Sequence, residues 1–275
     1  MPELPDLIVL ARSLHQALRG KTIASLSVNQ PRCLNCPPEA LAQALIGRTV
    51  QAARPRGKWA LIDLDSPDLL ALNLGMGGEV RLHGAEEQPD PKRERAVLRF
   101  ADGAQLWIHF WWFGMVHLVP GGDLSAHPQL SRLGPEPLAE DFTPDRLAGM
   151  LRGRRGALKK YLLDQTCVAG IGNVYVQDIL WHARLHPLTP AGALTRQDVE
   201  RLHAAIRHVL QEGIRWGGGP GEKDVWGHEG RYHEHLQVGY RTGQPCPACG
   251  TAIVALRTGS TTSYICPHCQ ALASR

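Results

Sequence analysis

The chain has 275 residues, 43% of them hydrophobic and 20% charged, enough for one large domain or two of about 100–150 residues with proper cores. No apolar run approaches the roughly 20 residues of a membrane helix, and the N-terminus lacks the basic-then-apolar order of a signal peptide, so the cytoplasm is the expected location. The net charge of +4 is uneven: residues 1–145 hold 14 Lys+Arg against 17 Asp+Glu, and residues 146–275 hold 16 against 9, which suggests a polyanionic partner or a solvated basic face without one.

The chain opens "MPELPD". Pro2 has a fixed φ and no N–H, so it serves no sheet ladder, and a frayed terminus is the plain reading of these residues alone. Leu7, Leu10, Leu14 and Leu18 fall on one helical face, with Gly20 where a C-terminal cap belongs. Asp6 then stands at the helix N-terminus, where the helix dipole favours a carboxylate. From Lys21 to about Val119 the pattern changes to short β-rich runs separated by turn signals, such as Ala101-Asp102-Gly103, and these predict a β-sandwich with the first helix packed on it. Cys33-Leu-Asn-Cys36 has no second pair nearby and is followed by two prolines, which reads as a loop with two ordinary thiols. Residues 126–145, rich in Pro and Gly, read as an interdomain connector.

Beyond it the period is helical. Thr143-Pro144-Asp145 is a helix start, followed by Leu147 and Leu151 on one face. The run "LLDQTCVAGIGNVYVQDIL" reads as two apolar helical segments joined by a glycine turn at Val168–Gly172. Cys167 reads there as a small core residue. Asn173 is placed to cap the second segment and to donate to a phosphate; a helical hairpin inside a core is the other reading. Thr195 and Asp198 predict a capping box ahead of Val199, Leu202, Ile206 and Val209. "WGGGPGEKDVWGHEGRYHEH" is too rich in glycine and charge to pack and is expected to be a mobile loop, either a functional lid or a spacer. Cys246-Pro-Ala-Cys249 and Cys266-Pro-His-Cys269 are paired knuckles that read as one tetrahedral four-cysteine zinc site, structural because four thiolates leave no open position.

"MPELPD", "RGKWALIDL", "LNLGMGGEVRL", "LGPEPL", "LLDQTCVAGIGNVY" and "CPACG…CPHCQ", in that order along essentially the whole chain, resemble the formamidopyrimidine-DNA glycosylase and endonuclease VIII family. The resemblance implies an α+β multidomain protein. Its expected parts are an N-terminal β-sandwich catalytic domain over 1–125, the connector at 126–145, a helical helix-two-turn-helix domain with a mobile loop over 146–240, and a zinc-finger hairpin over 241–275. It implies a bifunctional DNA glycosylase and abasic-site lyase of base excision repair, acting as a monomer on damaged, double-stranded DNA in the cytoplasm and at the nucleoid, with one structural Zn2+.

In the family the initiator methionine is removed, and the proline amine attacks the deoxyribose C1′ and leaves a Schiff base. An α-amine with an ordinary pKa near 7.7–8.0 is partly uncharged near neutral pH, which suits the role. By position Pro2 is then the nucleophile and Glu3 the acid, while Lys58 and Asn173 grip phosphates. Met76 fills the gap in the stack and Phe113 is the wedge.

This chain also departs from the family pattern. Trp111 and Trp112 stand where two arginines are usual, which replaces hydrogen bonding to the orphaned base by stacking surface. The hairpin position of a usual arginine is Thr261, with Arg257 an alternative reach to the same phosphate. Asp6 and Asp178 replace glutamates. Two further readings stay open, a family-derived DNA-damage binder with weak turnover and a zinc-ribbon nucleic-acid adaptor.

Overall fold

The computed structural model describes residues 1–272; the end of the expected hairpin domain, 273–275, lies outside the described residues. Two compact units are formed, Met1–Ser131 with Gly217–Gly230, and Arg132–Trp216 with Arg231–Arg275.

In the first unit, α1 (Leu4–Leu18) is followed by β1 (Ile23–Val28), α2 (Pro38–Leu45) and the strands β2 (Val50–Arg56), β3 (Trp59–Leu64), β4 (Leu69–Asn73), β5 (Glu79–His83), β6 (Glu94–Phe100), β7 (Gln105–His109) and β8 (Met115–Val119). The strands form two four-stranded antiparallel sheets, ordered β1-β6-β7-β5 and β2-β3-β4-β8. Their apolar faces close over one core with Ile62, Leu72 and Val116 from one sheet and Val80, Leu98 and Ile108 from the other. Leu7, Leu10, Leu14 and Leu18 of α1 enter the same core, as their helical spacing requires. The helix begins abruptly because the Glu3 N–H donates to Asp6 Oδ2 at 2.6 Å, and it ends at Gly20, whose φ of +82° is left-handed.

The glycine-rich segment expected to be a mobile loop is instead packed, and residues Gly217–Gly230 belong to the first unit. Val225 is fully buried in the sandwich core. Its N–H donates to Ser13 Oγ at 3.1 Å and its carbonyl accepts from Leu82 at 2.9 Å. One apolar side chain anchors the segment, and Asp224 satisfies its backbone by accepting from the N–H groups of Trp226 and His228, both at 2.9 Å. Glycine and charge did not prevent packing, because the polar groups find partners within the turn.

The second unit contains α3 (Pro144–Leu151), α4 (Leu158–Leu163), α5 (Tyr175–His182), α6 (Arg196–Arg215) and a hairpin of β9 (Val254–Thr258) and β10 (Thr261–Ile265). Thr195 and Asp198 form the capping box of α6, with Thr195 N–H donating to Asp198 Oδ2 at 2.9 Å and Asp198 N–H to Thr195 Oγ1 at 3.2 Å. Asp178, fully buried on α5, fixes the chain at 237–239. Its carboxylate accepts from Gln237 at 2.9 Å, Val238 at 3.0 Å, Gly239 at 3.2 Å and the Tyr232 hydroxyl at 3.1 Å.

Candidate functional site

Three residue groups in the first unit stand out. At the chain start, Pro2 and Glu3 are buried and Asp6 is 7% exposed. Asp6 is held from both sides, by the Glu3 N–H and by the Gly219 N–H at 2.8 Å from its Oδ1. Lys58, half-buried in the β2–β3 turn, feels both carboxylates: burial lowers its ammonium below the ordinary lysine value, and the charges of Glu3 and Asp6 partly oppose that. The turn itself is pinned by Asn73 Nδ2 donating to the Lys58 carbonyl at 3.0 Å.

Sequence reasoning missed one member of this group. Glu222, on the Gly217–Gly230 segment, places Oε1 3.8 Å from the amino terminus of Met1. Burial and then the charge of Asp6 push its carboxyl up to about 8, with the amino terminus pulling the other way. Nothing local distinguishes this glutamate in the sequence; only the return of the segment to the first unit brings it to the N-terminus.

The second group is an exposed apolar rim. Met76 is 48% exposed, Trp111 59%, Trp112 65% and Phe113 75%. Two backbone bonds join the turn that carries Met76 to the β7–β8 connection, Met76 N–H to the Trp112 carbonyl at 2.8 Å and Trp111 N–H to the Met76 carbonyl at 3.1 Å. Gly75 makes the approach possible, since a Cβ there would lie 2.0 Å from the Trp112 carbonyl oxygen. Phe113 has a φ of +59°, a left-handed conformation that costs a non-glycine residue energy and occurs where the surrounding structure enforces it. Phe110, three residues earlier, is buried and carries the core packing that Phe113 does not. A soluble surface seldom clusters four large apolar side chains without a partner to cover them.

The third group surrounds a cavity of about 400 Å³, whose lining includes Met1, Glu79, Arg93, His109, Trp111 and Glu222. Glu79 is paired with Arg93 and, at 3.5 Å, with Lys223. His109 is buried, with Nδ1 donating to the Arg93 carbonyl at 2.7 Å. Its Nε2 has no hydrogen-bond partner among the described residues.

In the second unit, α5 begins at Tyr175 with Val174 as its N-cap, so Asn173 does not cap the helix as the sequence suggested. Asn173 lies half-buried in the preceding turn, where its carbonyl and its Oδ1 accept from Gln177 Nε2 at 2.8 and 3.1 Å. The turn is tightened by Gly170 donating to Gln165 Oε1 at 2.8 Å. Cys167, expected in the core, is only half-buried.

Cys246, Cys249, Cys266 and Cys269 bring their sulfurs within 4.8 Å of one another, with individual separations of 3.4, 3.5 and 3.9 Å. A zinc ion holding four sulfurs at about 2.3 Å sets them about 3.8 Å apart, so the residues fit the ion. Trp181 Nε1 donates to Cys246 Sγ at 3.4 Å from the helical side, the outer-shell support such sites carry. Arg257 is exposed on β9, across the hairpin from Thr262.

Three family models match the chain: the formamidopyrimidine-DNA glycosylase N-terminal domain at residues 1–110, the formamidopyrimidine-DNA glycosylase H2TH domain at 133–223, and the zinc finger found in FPG and IleRS at 243–272. Together with the sandwich, the glycine turn and the four-cysteine cluster, they define the class as a zinc-bearing helix-two-turn-helix DNA glycosylase fold. A formamidopyrimidine-DNA glycosylase of Chloroflexus aggregans is 41% identical over 276 residues, covering 99% of both chains, and that of Chloroflexus aurantiacus is 40% identical over 274 residues, covering 98% of both. Among solved structures, the Lactococcus lactis Fpg (MutM) in complex with DNA containing N7-benzyl-Fapy-dG superposes with a TM-score of 0.92 at 31% identity, covering 98% of this chain and 100% of that one. The chain belongs to the formamidopyrimidine-DNA glycosylase family.

Proposed function

We infer that the chain is a bifunctional DNA glycosylase and abasic-site lyase of base excision repair, with damaged duplex DNA as its partner and one structural zinc. No described helix is long and apolar enough to cross a membrane, and the proposed place of action is the cytoplasm, at the nucleoid. It is proposed to act as a monomer. The proposed division of labour assigns catalysis and the apolar rim to residues 1–125. Residues 146–240, apart from the 217–230 segment that packs in the first unit, and 241–275 grip the duplex, and 126–145 connect the parts.

The observation that carries the mechanism is the buried start of the chain, where Pro2 and Glu3 lie with Asp6 and a lysine of lowered pKa. Once Met1 is removed, the secondary amine of Pro2 attacks C1′ of the damaged nucleotide and displaces the base. Glu3 protonates the opening sugar ring, and the resulting iminium acidifies the C2′ proton, so β- and then δ-elimination cut the strand. Lys58, Asn173 and Arg257 hold phosphates. Met76 enters the gap left by the everted nucleotide, Phe113 wedges the duplex, and Trp111 stacks on the orphaned base. The relatives' identity as formamidopyrimidine-DNA glycosylases supports the substrate class, and solved relatives are complexes with Fapy-dG and with abasic-site DNA.

The test is incision of a duplex containing Fapy-dG. Base release followed by strand cleavage, with a covalent complex trapped by borohydride, is expected. A chain that binds an abasic duplex tightly but neither traps nor cuts it is instead a damage-binding member of the family.

A further inference from the structure

The apolar rim offers more surface than one gap in a duplex can cover. The roles above use Met76, Trp111 and Phe113 and leave Trp112 with none, although it is 65% exposed. The rim is held stiffly: Met76 N–H donates to the Trp112 carbonyl at 2.8 Å, and the Trp111 indole closes onto Gly77, where a Cβ would lie 2.5 Å from its Cδ1. A rigid aromatic surface loses little conformational freedom when bases cover it. A second, independent feature is a basic strip, Lys92, Arg93 and Arg95, exposed or half-buried. It is tied to the connection that carries the rim, since Arg95 Nε donates to the Phe110 carbonyl at 2.8 Å and His109 Nδ1 to the Arg93 carbonyl at 2.7 Å. Glu79 and Glu94 pair with Arg93, whereas Lys92 and Arg95 have no acidic partner among the described residues.

Cations beside stiff aromatic rings are the two parts of a single-strand site. The cations follow the phosphates, and each unpaired base stacks on a ring whatever its identity. A duplex presents few such bases, because they are stacked on one another and only the lesion opens the stack. We propose that Trp112, with Trp111 and Phe113, stacks on unpaired bases while Lys92 and Arg95 hold phosphates of the same strand. Lesions in unpaired DNA, in single strands and in bubbles, are then substrates of this chain beside lesions in duplex. The cutting of such strands rests on the glycosylase reading; the ring and cation contacts that bind them do not need it. An indole has one N–H to offer and no donor–acceptor pair matched to one base, so the surface is indifferent to sequence.

The experiment presents one Fapy-dG sequence in three forms, as a duplex, as a bubble with unpaired flanks and as a single strand, to full-length protein with Met1 removed. Binding and single-turnover incision are measured for wild type, Trp112→Ala, Trp112→Phe and Lys92→Ala. Wild type is expected to cut the unpaired forms within about tenfold of the duplex, the equivalent of one 1.4 kcal/mol contact. Trp112→Ala should weaken binding of the single strand and the bubble about 5- to 150-fold more than binding of the duplex, the range for one stacked base, and Trp112→Phe should restore most of it. Lys92→Ala should reduce the slope of log affinity against log salt on the single strand by about 0.7. Wild-type incision that drops further than tenfold on both unpaired forms overturns the proposal as a substrate class. A Trp112→Ala variant that weakens all three forms equally, or none, overturns the surface itself. Wild type that cuts none of the three forms, yet binds the single strand through Trp112, removes the glycosylase reading and leaves the single-strand surface standing.

Discussion

Lys58 and Trp111 illustrate how much a single side chain reveals and conceals. Lys58 has a lowered pKa because burial disfavours its ammonium, with the charges of Glu3 and Asp6 partly opposing that, and a lysine of lowered pKa is a rival amine to Pro2. If it grips a phosphate, Lys58→Ala should reduce the slope of log affinity against log salt by about 0.9 on duplex DNA while leaving the order of lesion preference intact. An unchanged slope with a reordered preference would place Lys58 on the base. Trp111 offers the opposite case, because an indole stacks on every base and hydrogen-bonds specifically to few. Excision rates opposite the four bases are expected to differ by less than about tenfold, the equivalent of one 1.4 kcal/mol contact. Strong discrimination, measured with matched duplexes, would mean that another side chain reads the orphan.

At the scale of elements, polar groups decide where the chain cannot slip. Asp178 accepts three backbone N–H groups and a hydroxyl in the interior; Asp178→Asn aims an amide at those donors and should cost about 2–4 kcal/mol of the second unit's stability in urea unfolding. In the first unit, His127 Nδ1 accepts from the Leu130 N–H at 3.1 Å, so its Nε2 carries the hydrogen and donates to His117 Nδ1 at 2.9 Å. Both rings pack on Trp59. Burial, then the neighbouring His127, lowers the His117 pKa from 6.5 to about 4. The folded state thus prefers neutral His117. Its contribution is complete above pH 6.5 and is lost as pH falls from 6.5 to about 4, on the order of 3 kcal/mol. His117→Asn keeps an acceptor for His127 without the titration, so its unfolding free energy should change less over that interval. A variant with an unaltered pH dependence would show that the pair does not titrate on folding.

For the whole molecule, sequence and structure agree where the signal is local. The four leucines of α1, the Thr195–Asp198 box and the cysteine knuckles each carry their own periodicity or spacing. Val225 and Glu222 do not, because their partners lie some two hundred residues earlier, at Ser13 and at the chain start. Phe113 has an exposure that nothing local in the sequence signals, and it stands out where its backbone takes a left-handed turn. Zinc ties one end of the second unit together, and apparent zinc affinity in small zinc-finger peptides is about 10–16 kcal/mol. Cys249→Ser should therefore release the metal and unfold the hairpin while the sandwich keeps its melting transition; unchanged metal content would overturn the assignment.

The central claim is that the chain's own terminus does the chemistry. If Pro2 is the nucleophile, one residue retained ahead of it turns its nitrogen into a tertiary amide without a basic lone pair. The most direct measurement is borohydride trapping on an abasic duplex, with the site of attachment mapped by mass spectrometry, for protein with Met1 removed and for protein carrying an uncleavable N-terminal extension. The processed protein is expected to trap with the adduct on Pro2, and the extended protein to bind the duplex without trapping. An extended protein of verified mass that traps normally, with the adduct on Lys58, would contradict the claim.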